Sequence, residues 1–346
     1  MIDAAEVAAK YAPIIVLHGD DKLGPSSADW FVERSELRWS TGRSRSGVAV
    51  DDSKVDGERL GAAAAHPYRH DGYAASALTR PLESHPTRPT DLPLEQGFFL
   101  RLRDERFYRG DDPGPVYWDY DDTIAGITYW LFYPASSPPL GILRAGEQLG
   151  TEGPATEAVP DEVEAADAAA KLEEFRRAYP GLAAQAEPAE EGLGVGDVID
   201  RLRTVGEGVR ALLRRDNVLH EGDWERLTVY LDVADRQHAQ PAGVGYYRHS
   251  TTTFDTWDRV EKEGTHPVAY SAIGSHATLP SPNFGFIDVG DRNGPRWRAA
   301  DQLAQVEEQP WYGFGGAWGR VGKVRESTGP LGPGAHWKHP APRPQR

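Results

Sequence analysis

Seven consecutive residues, Ile127-Thr128-Tyr129-Trp130-Leu131-Phe132-Tyr133, are β-branched, aromatic or leucine, and none carries a charge. Successive side chains of a strand point to opposite faces, so a strand built from this run is apolar on both. Such a strand has to be covered from two sides, which places it at the centre of a sheet. Shorter strand-like segments recur at 11–17, 97–102, 116–120, 224–233, 243–250 and 266–273. Turn residues punctuate them, as in Gly290-Asp291-Arg292-Asn293-Gly294-Pro295. Many short strands with Gly/Pro turns predict a mainly β fold, a β-sandwich or jelly roll.

The 346 residues read as a single sandwich domain, 1–346, carrying two insertions. Residues 43–95 are rich in Pro, His, Arg and Asp without periodicity, and residues 141–215 combine a linker with two helical segments, 161–179 and 195–215. A short helix is expected at 3–10, and a Pro/Gly-rich tail at 329–346. A chain of this length buries a sizeable core without disulfides or a structural metal.

With 38 Lys plus Arg against 53 Asp plus Glu, the net charge is -15, which disfavours nucleic acid and suits attraction of cations. There is no cysteine, so thiolate-zinc sites and cysteine nucleophiles are excluded. The start, Met1-Ile2-Asp3-Ala4-Ala5-Glu6, lacks the basic and apolar stretches of a secretory signal, and no run approaches the length of a spanning helix. The expected compartment is the cytoplasm.

Chemistry concentrates in His220-Glu221-Gly222-Asp223-Trp224-Glu225. On a strand, Asp223 and Glu225 share a face with Leu227, Val229, Leu231 and Val233, while Trp224, Arg226, Thr228, Tyr230 and Asp232 share the other. Two carboxylates entering an apolar face are costly unless a cation offsets them. His220 could add a nitrogen, and one His with two carboxylates suits a divalent ion of the Mg, Mn, Ca or Fe type, Ca or Mg ahead of the others. The competing arrangement is a solvated pair at the strand's mouth, neutralised by Arg226, Arg248 or Lys262. His249, His266 and His276 flank neighbouring strands and are candidates for general acid or base. His18-Gly19-Asp20-Asp21 is a weaker candidate, reading more as a turn with Asx hydrogen bonds than as a ligand pair. Neither a Gly-x-Ser-x-Gly elbow nor a phosphate-cradling Gly-Lys-Ser/Thr loop is present.

Several motifs in order resemble the vacuolar protein sorting-associated protein 62 family. They are Tyr11-Ala12-Pro13-Ile14, Gly24-Pro25-Ser26-Ser27-Ala28-Asp29-Trp30, the 127–134 strand, the 220–225 cluster, Gly264-Thr265-His266-Pro267-Val268-Ala269-Tyr270, Gly274-Ser275-His276-Ala277, Phe314-Gly315-Gly316-Ala317-Trp318-Gly319 and Gly329-Pro330-Leu331-Gly332-Pro333. That family brings no firm biochemistry with it. The 220–225 cluster is also similar to the Gly-His-Arg-His-Asp-Trp-Glu heptapeptide of the necrosis- and ethylene-inducing-like proteins, β-sandwich cytolysins. The resemblance implies a divalent ion at His220, Asp223 and Glu225, although that motif's second His is Gly222 here.

Beside a purely structural cluster serving a sorting or scaffold role, two functions are therefore expected to compete. One is a metal-dependent enzyme, a hydrolase or lyase, acting on a polar small molecule. The other is a non-catalytic binder that grips a sugar or phosphate head group through the ion, with membrane association left open.

Overall fold

The computed structural model describes residues 3–40, 48–51, 55, 57, 60, 97–111, 113–137, 170, 173–174, 176–177, 219–232, 240–248, 251–284, 288–320, 327 and 329–333. Helix α1 (Ala4–Lys10) lies where the sequence predicts it, capped by Asp3, whose carboxylate accepts the N–H groups of Ala5 and Glu6. Strand β1 (Ile14–Val16), helix α2 (Ala28–Arg34), and strands β2 (Ser35–Ser40), β3 (Val48–Asp51) and β4 (Gly97–Leu102) follow. Next come β5 (Val116–Asp121), β6 (Gly126–Ser136), β7 (His220–Leu231), β8 (Pro241–Arg248) and β9 (Thr251–Thr256). The short strands β10 (Lys262–Glu263), β11 (His266–Ser271), β12 (Thr278–Leu279), β13 (Arg296–Arg298) and β14 (Leu303–Gln305) complete the order.

A six-stranded sheet, β14-β5-β6-β7-β8-β9, forms the centre. Strand β6 is buried along its whole length between β5 and β7, as its two apolar faces require. On one side lies a second sheet, β10-β11-β1-β13 with β12 on β11. Its Ile15, Ala269 and Trp297 pack with Tyr129, Leu131, Tyr133, Leu227, Val229 and Leu231. The other side is covered by α2 and the sheet β3-β2-β4, with Phe31, Leu37 and Leu100 against Trp130, Phe132, Trp224, Trp311 and Trp318. The chain is thus a mainly β sandwich, its central sheet covered on both faces.

The sequence reading passes over α2. Ser27 caps it by accepting the Trp30 N–H, a signal that Gly24-Pro25-Ser26 hides inside an apparent turn. The expected insertions 43–95 and 141–215 lie outside the described residues, apart from β3, positions 55, 57 and 60, and helical positions 170, 173, 174, 176 and 177. Of the 329–346 tail, residues 329–333 are described. Among the described residues no helix is long and apolar enough to cross a membrane.

One topological detail positions the site. Strand β1 pairs parallel to β11, Val16 opposite Tyr270, so the loops that leave both strands emerge at the same end of the sandwich. The last residues of β6 and the first of β7 arrive at that end too. Ser137 N–H and Ser136 Oγ both donate to the Gly274 carbonyl, at 2.8 Å and 3.2 Å.

Candidate functional site at one end of the sandwich

Strand β7 delivers Asp223 and Glu225. Asp223 stands opposite Tyr133 and Glu225 opposite Leu131, both on the face that packs against the β1–β11 sheet. Trp224 packs into the opposite core, so the alternation expected from the sequence holds over this stretch. It breaks one residue earlier. Gly222 has φ +60°, and a Cβ there would fall 1.7 Å from the Trp318 carbonyl oxygen. Beyond that twist Glu221 turns to the Trp224 side, where it accepts the Tyr108 hydroxyl at 3.0 Å.

The loop after β11 delivers His276. Its backbone is left-handed, φ 54°, next to Gly274 at φ 77°. A histidine there costs about 1–2 kcal/mol and persists only where its surroundings fix it. Three contacts do so. His276 Nδ1 donates to Asp223 Oδ2 at 2.8 Å, the ring stacks on Tyr133 at 3.9 Å with planes 4° apart, and Nε2 lies 3.5 Å from Asp21 Oδ2. The last distance is an ion-pair contact, too long for a well-formed hydrogen bond. Burial alone would lower the His276 pKa, but Asp21 and Asp223 outweigh it and raise it to about 9.

Asp21 comes from the loop after β1. The Leu23 N–H bonds its Oδ1 at 2.9 Å, the expected Asx turn, and the Gly274 N–H bonds its Oδ2 at 2.6 Å. Burial works to raise its pKa, yet His276 and these N–H groups hold it below the usual aspartate value.

Glu225 is placed differently. It is packed around by protein yet keeps partial exposure to solvent. Among the described residues no group donates a hydrogen bond to it. Burial first, then Asp223 and Asp288, push its pKa well above the usual range. Asp288 accepts the Ser275 hydroxyl at 2.7 Å and lies 3.5 Å from Arg248, which also pairs with Glu174 at 2.7 Å.

The cations offered by the sequence as partners for the acid pair are engaged elsewhere. Arg226 projects to the opposite face, over the rings of Tyr247 at 3.9 Å and Trp130 at 5.1 Å, where burial lowers its pKa to about 10. Trp130 Nε1 in turn donates to Asp119 at 2.7 Å. Lys262 donates to the carbonyls of Trp257 and Val260.

The expected site residues are therefore partly gathered. Asp223, Glu225 and His276 share one end of the sandwich. The His220 ring turns back on its own strand, Nδ1 lying 2.8 Å from the Gly222 carbonyl oxygen. His266, at the start of β11, contacts the Ala12 carbonyl at 2.8 Å, at the other end of that strand from His276. His249 lies outside the described residues. Among the described residues no three His, Asp or Glu side chains form a metal-ligand group. Tyr133 and Asp288 are residues sequence reasoning missed, and Asp21 it ranked only as a weaker candidate. The only available signal for Asp21 was an acid in a turn after a strand.

No family model, curated protein or solved structure matches the chain. The arrangement of side chains is what bears on function. It supplies a carboxyl biased toward its protonated form beside a carboxylate held by an imidazole, the pairing from which acid–base chemistry is built.

Proposed function

We propose that the protein is an enzyme, a hydrolase or lyase acting on a polar small molecule at Glu225. The observation that carries this is Glu225 itself, a partly exposed carboxyl facing Asp223 and Asp288 with its pKa pushed up by burial and by those acids. Burial and two neighbouring acids bias such a carboxyl toward its protonated form, the form that can give a proton, which a solvated glutamate does not keep. Glu225 is the proton donor. Asp223, fixed by His276, is the acceptor that takes a proton from water or from the substrate. The left-handed backbone of His276 fits the same reading, since strain of this kind concentrates at functional sites.

Asp21, Asp223, Glu225 and Asp288 cluster there against His276 and Arg248, so acids outnumber cations and a neutral or cationic substrate is favoured over a phosphate head group. The test is untargeted. The purified protein is incubated with a mixture of polar metabolites, and consumption is followed by mass spectrometry. At least one species is consumed, and Glu225→Gln and Asp223→Asn slow it by about 100-fold or more. A wild-type protein that consumes nothing, or variants that keep pace with it, overturn the reading.

A further inference from the structure

We propose that His276 Nε2 and Asp21 Oδ2 are the protein ligands of one divalent cation of the zinc type, with Asp223 orienting the imidazole. This ligand set differs from the His220, Asp223 and Glu225 expected from the sequence, and it does not depend on whether the protein turns over a substrate.

The first support is an atom without a hydrogen bond. The His276 side chain is 1 % exposed, and among the described residues Nε2 has no hydrogen-bond partner although it lies 3.5 Å from a carboxylate oxygen of Asp21. For a direct hydrogen bond that distance is long. For two ligands of one ion it is right: bonds of about 2.1 Å meeting at a tetrahedral angle put nitrogen and oxygen about 3.4 Å apart.

The second support lies on the far side of the ring. Metal-ligating histidines donate their other N–H to a carboxylate, which fixes the tautomer and leaves the remaining nitrogen's lone pair for the metal. Nδ1 and Asp223 stand in that relation at 2.8 Å. Both ligands are also immobilised beforehand, the ring by its stack on Tyr133 and Asp21 by the N–H groups of Leu23 and Gly274. Little ordering entropy is left to lose on binding.

Charge points the same way. Asp21 and Asp223 share the single imidazole, and Glu225 adds a third acid that Asp223 already repels. A divalent ion in place of the Nε2 proton adds one positive charge where acids outnumber cations. An imidazole ligand selects a zinc-like metal over calcium or magnesium, which prefer all-oxygen sets. With two protein ligands, water or a bound small molecule fills the remaining positions.

The experiment uses the metal-free full-length protein and Zn²⁺ alone, with no substrate present, so that it reads separately from turnover. Equilibrium dialysis with elemental analysis gives one equivalent bound. Asp21→Asn and His276→Gln weaken uptake about 10-fold or more, Asp223→Asn weakens it without abolishing it, and His220→Ala leaves it unchanged. In the unmodified protein, where no variant's folding is at issue, Zn²⁺ shifts the Nε2 resonance of His276 in histidine ¹⁵N spectra. Absence of uptake, full uptake in folded Asp21→Asn and His276→Gln, or a shift at His220 in place of His276 overturns the assignment.

Discussion

His276 Nδ1 lies 2.8 Å from Asp223 Oδ2, joining a left-handed loop residue after β11 to the start of strand β7 in the central sheet. Asp223 gains an imidazole as its cationic neighbour, while Arg248 lies against Asp288 and Glu174, and the ring is fixed in one orientation. Glu225, two residues along the same strand, gets no such partner among the described residues. The contrast between these two acids sets up the expectations that follow.

Glu225→Gln should make the protein more stable. Burial and the neighbouring acids oppose the charged form of Glu225, and an amide removes that penalty at similar volume. The gain expected is about 1–2 kcal/mol at pH 7, the size seen when functional strain is relieved. Urea denaturation measures it, and a variant less stable than the parent would show that the carboxylate is compensated.

Gly222→Ala should be among the most damaging single-methyl additions in the chain. The new Cβ would sit 1.7 Å from the Trp318 carbonyl oxygen, at a φ of +60° that alanine resists. A loss of more than about 3 kcal/mol, or failure to fold, is expected from backbone displacement and strain together. A melting temperature within a degree or two of the parent's would contradict the close approach of these two segments.

Asp119 gives a pH dependence whose sign can be fixed. Burial first, with Glu307 adding to it, raises its pKa to about 6 despite the Trp130 hydrogen bond. The folded form thus binds this proton more tightly than the unfolded chain does. Its contribution is fully present below the unfolded value near 4 and is lost as pH rises through about 6. Asp119→Asn should flatten stability over that window. In the parent, the Trp130 indole N–H resonance should titrate with a midpoint near 6.

The sheet frame was legible because periodicity reports burial. The apolar run around Tyr129 becomes the fully buried β6, and the alternation from Asp223 to Leu231 sorts correctly between the two cores. Asp223 and Glu225 could be named for the same reason, as charges out of place on a greasy face. Their surroundings could not. Asp21 meets His276 only because β1 slots in parallel beside β11, a pairing set by tertiary packing. The Glu221 reversal hinges on one glycine with positive φ, which leaves no periodic trace. The stack of His276 on Tyr133 depends on a loop that Gly274 breaks out of the strand pattern.

The parallel insertion of β1 between β11 and β13 has a consequence for assembly. The opening strand must wait, unpaired on both edges, until strands from the closing quarter of the chain exist to receive it. Half of the acid–imidazole bridge travels with that early strand and half with the late loop. A nascent or partly unfolded chain therefore lacks the Asp21–His276 contact, which forms only when β1 and β11 have found each other.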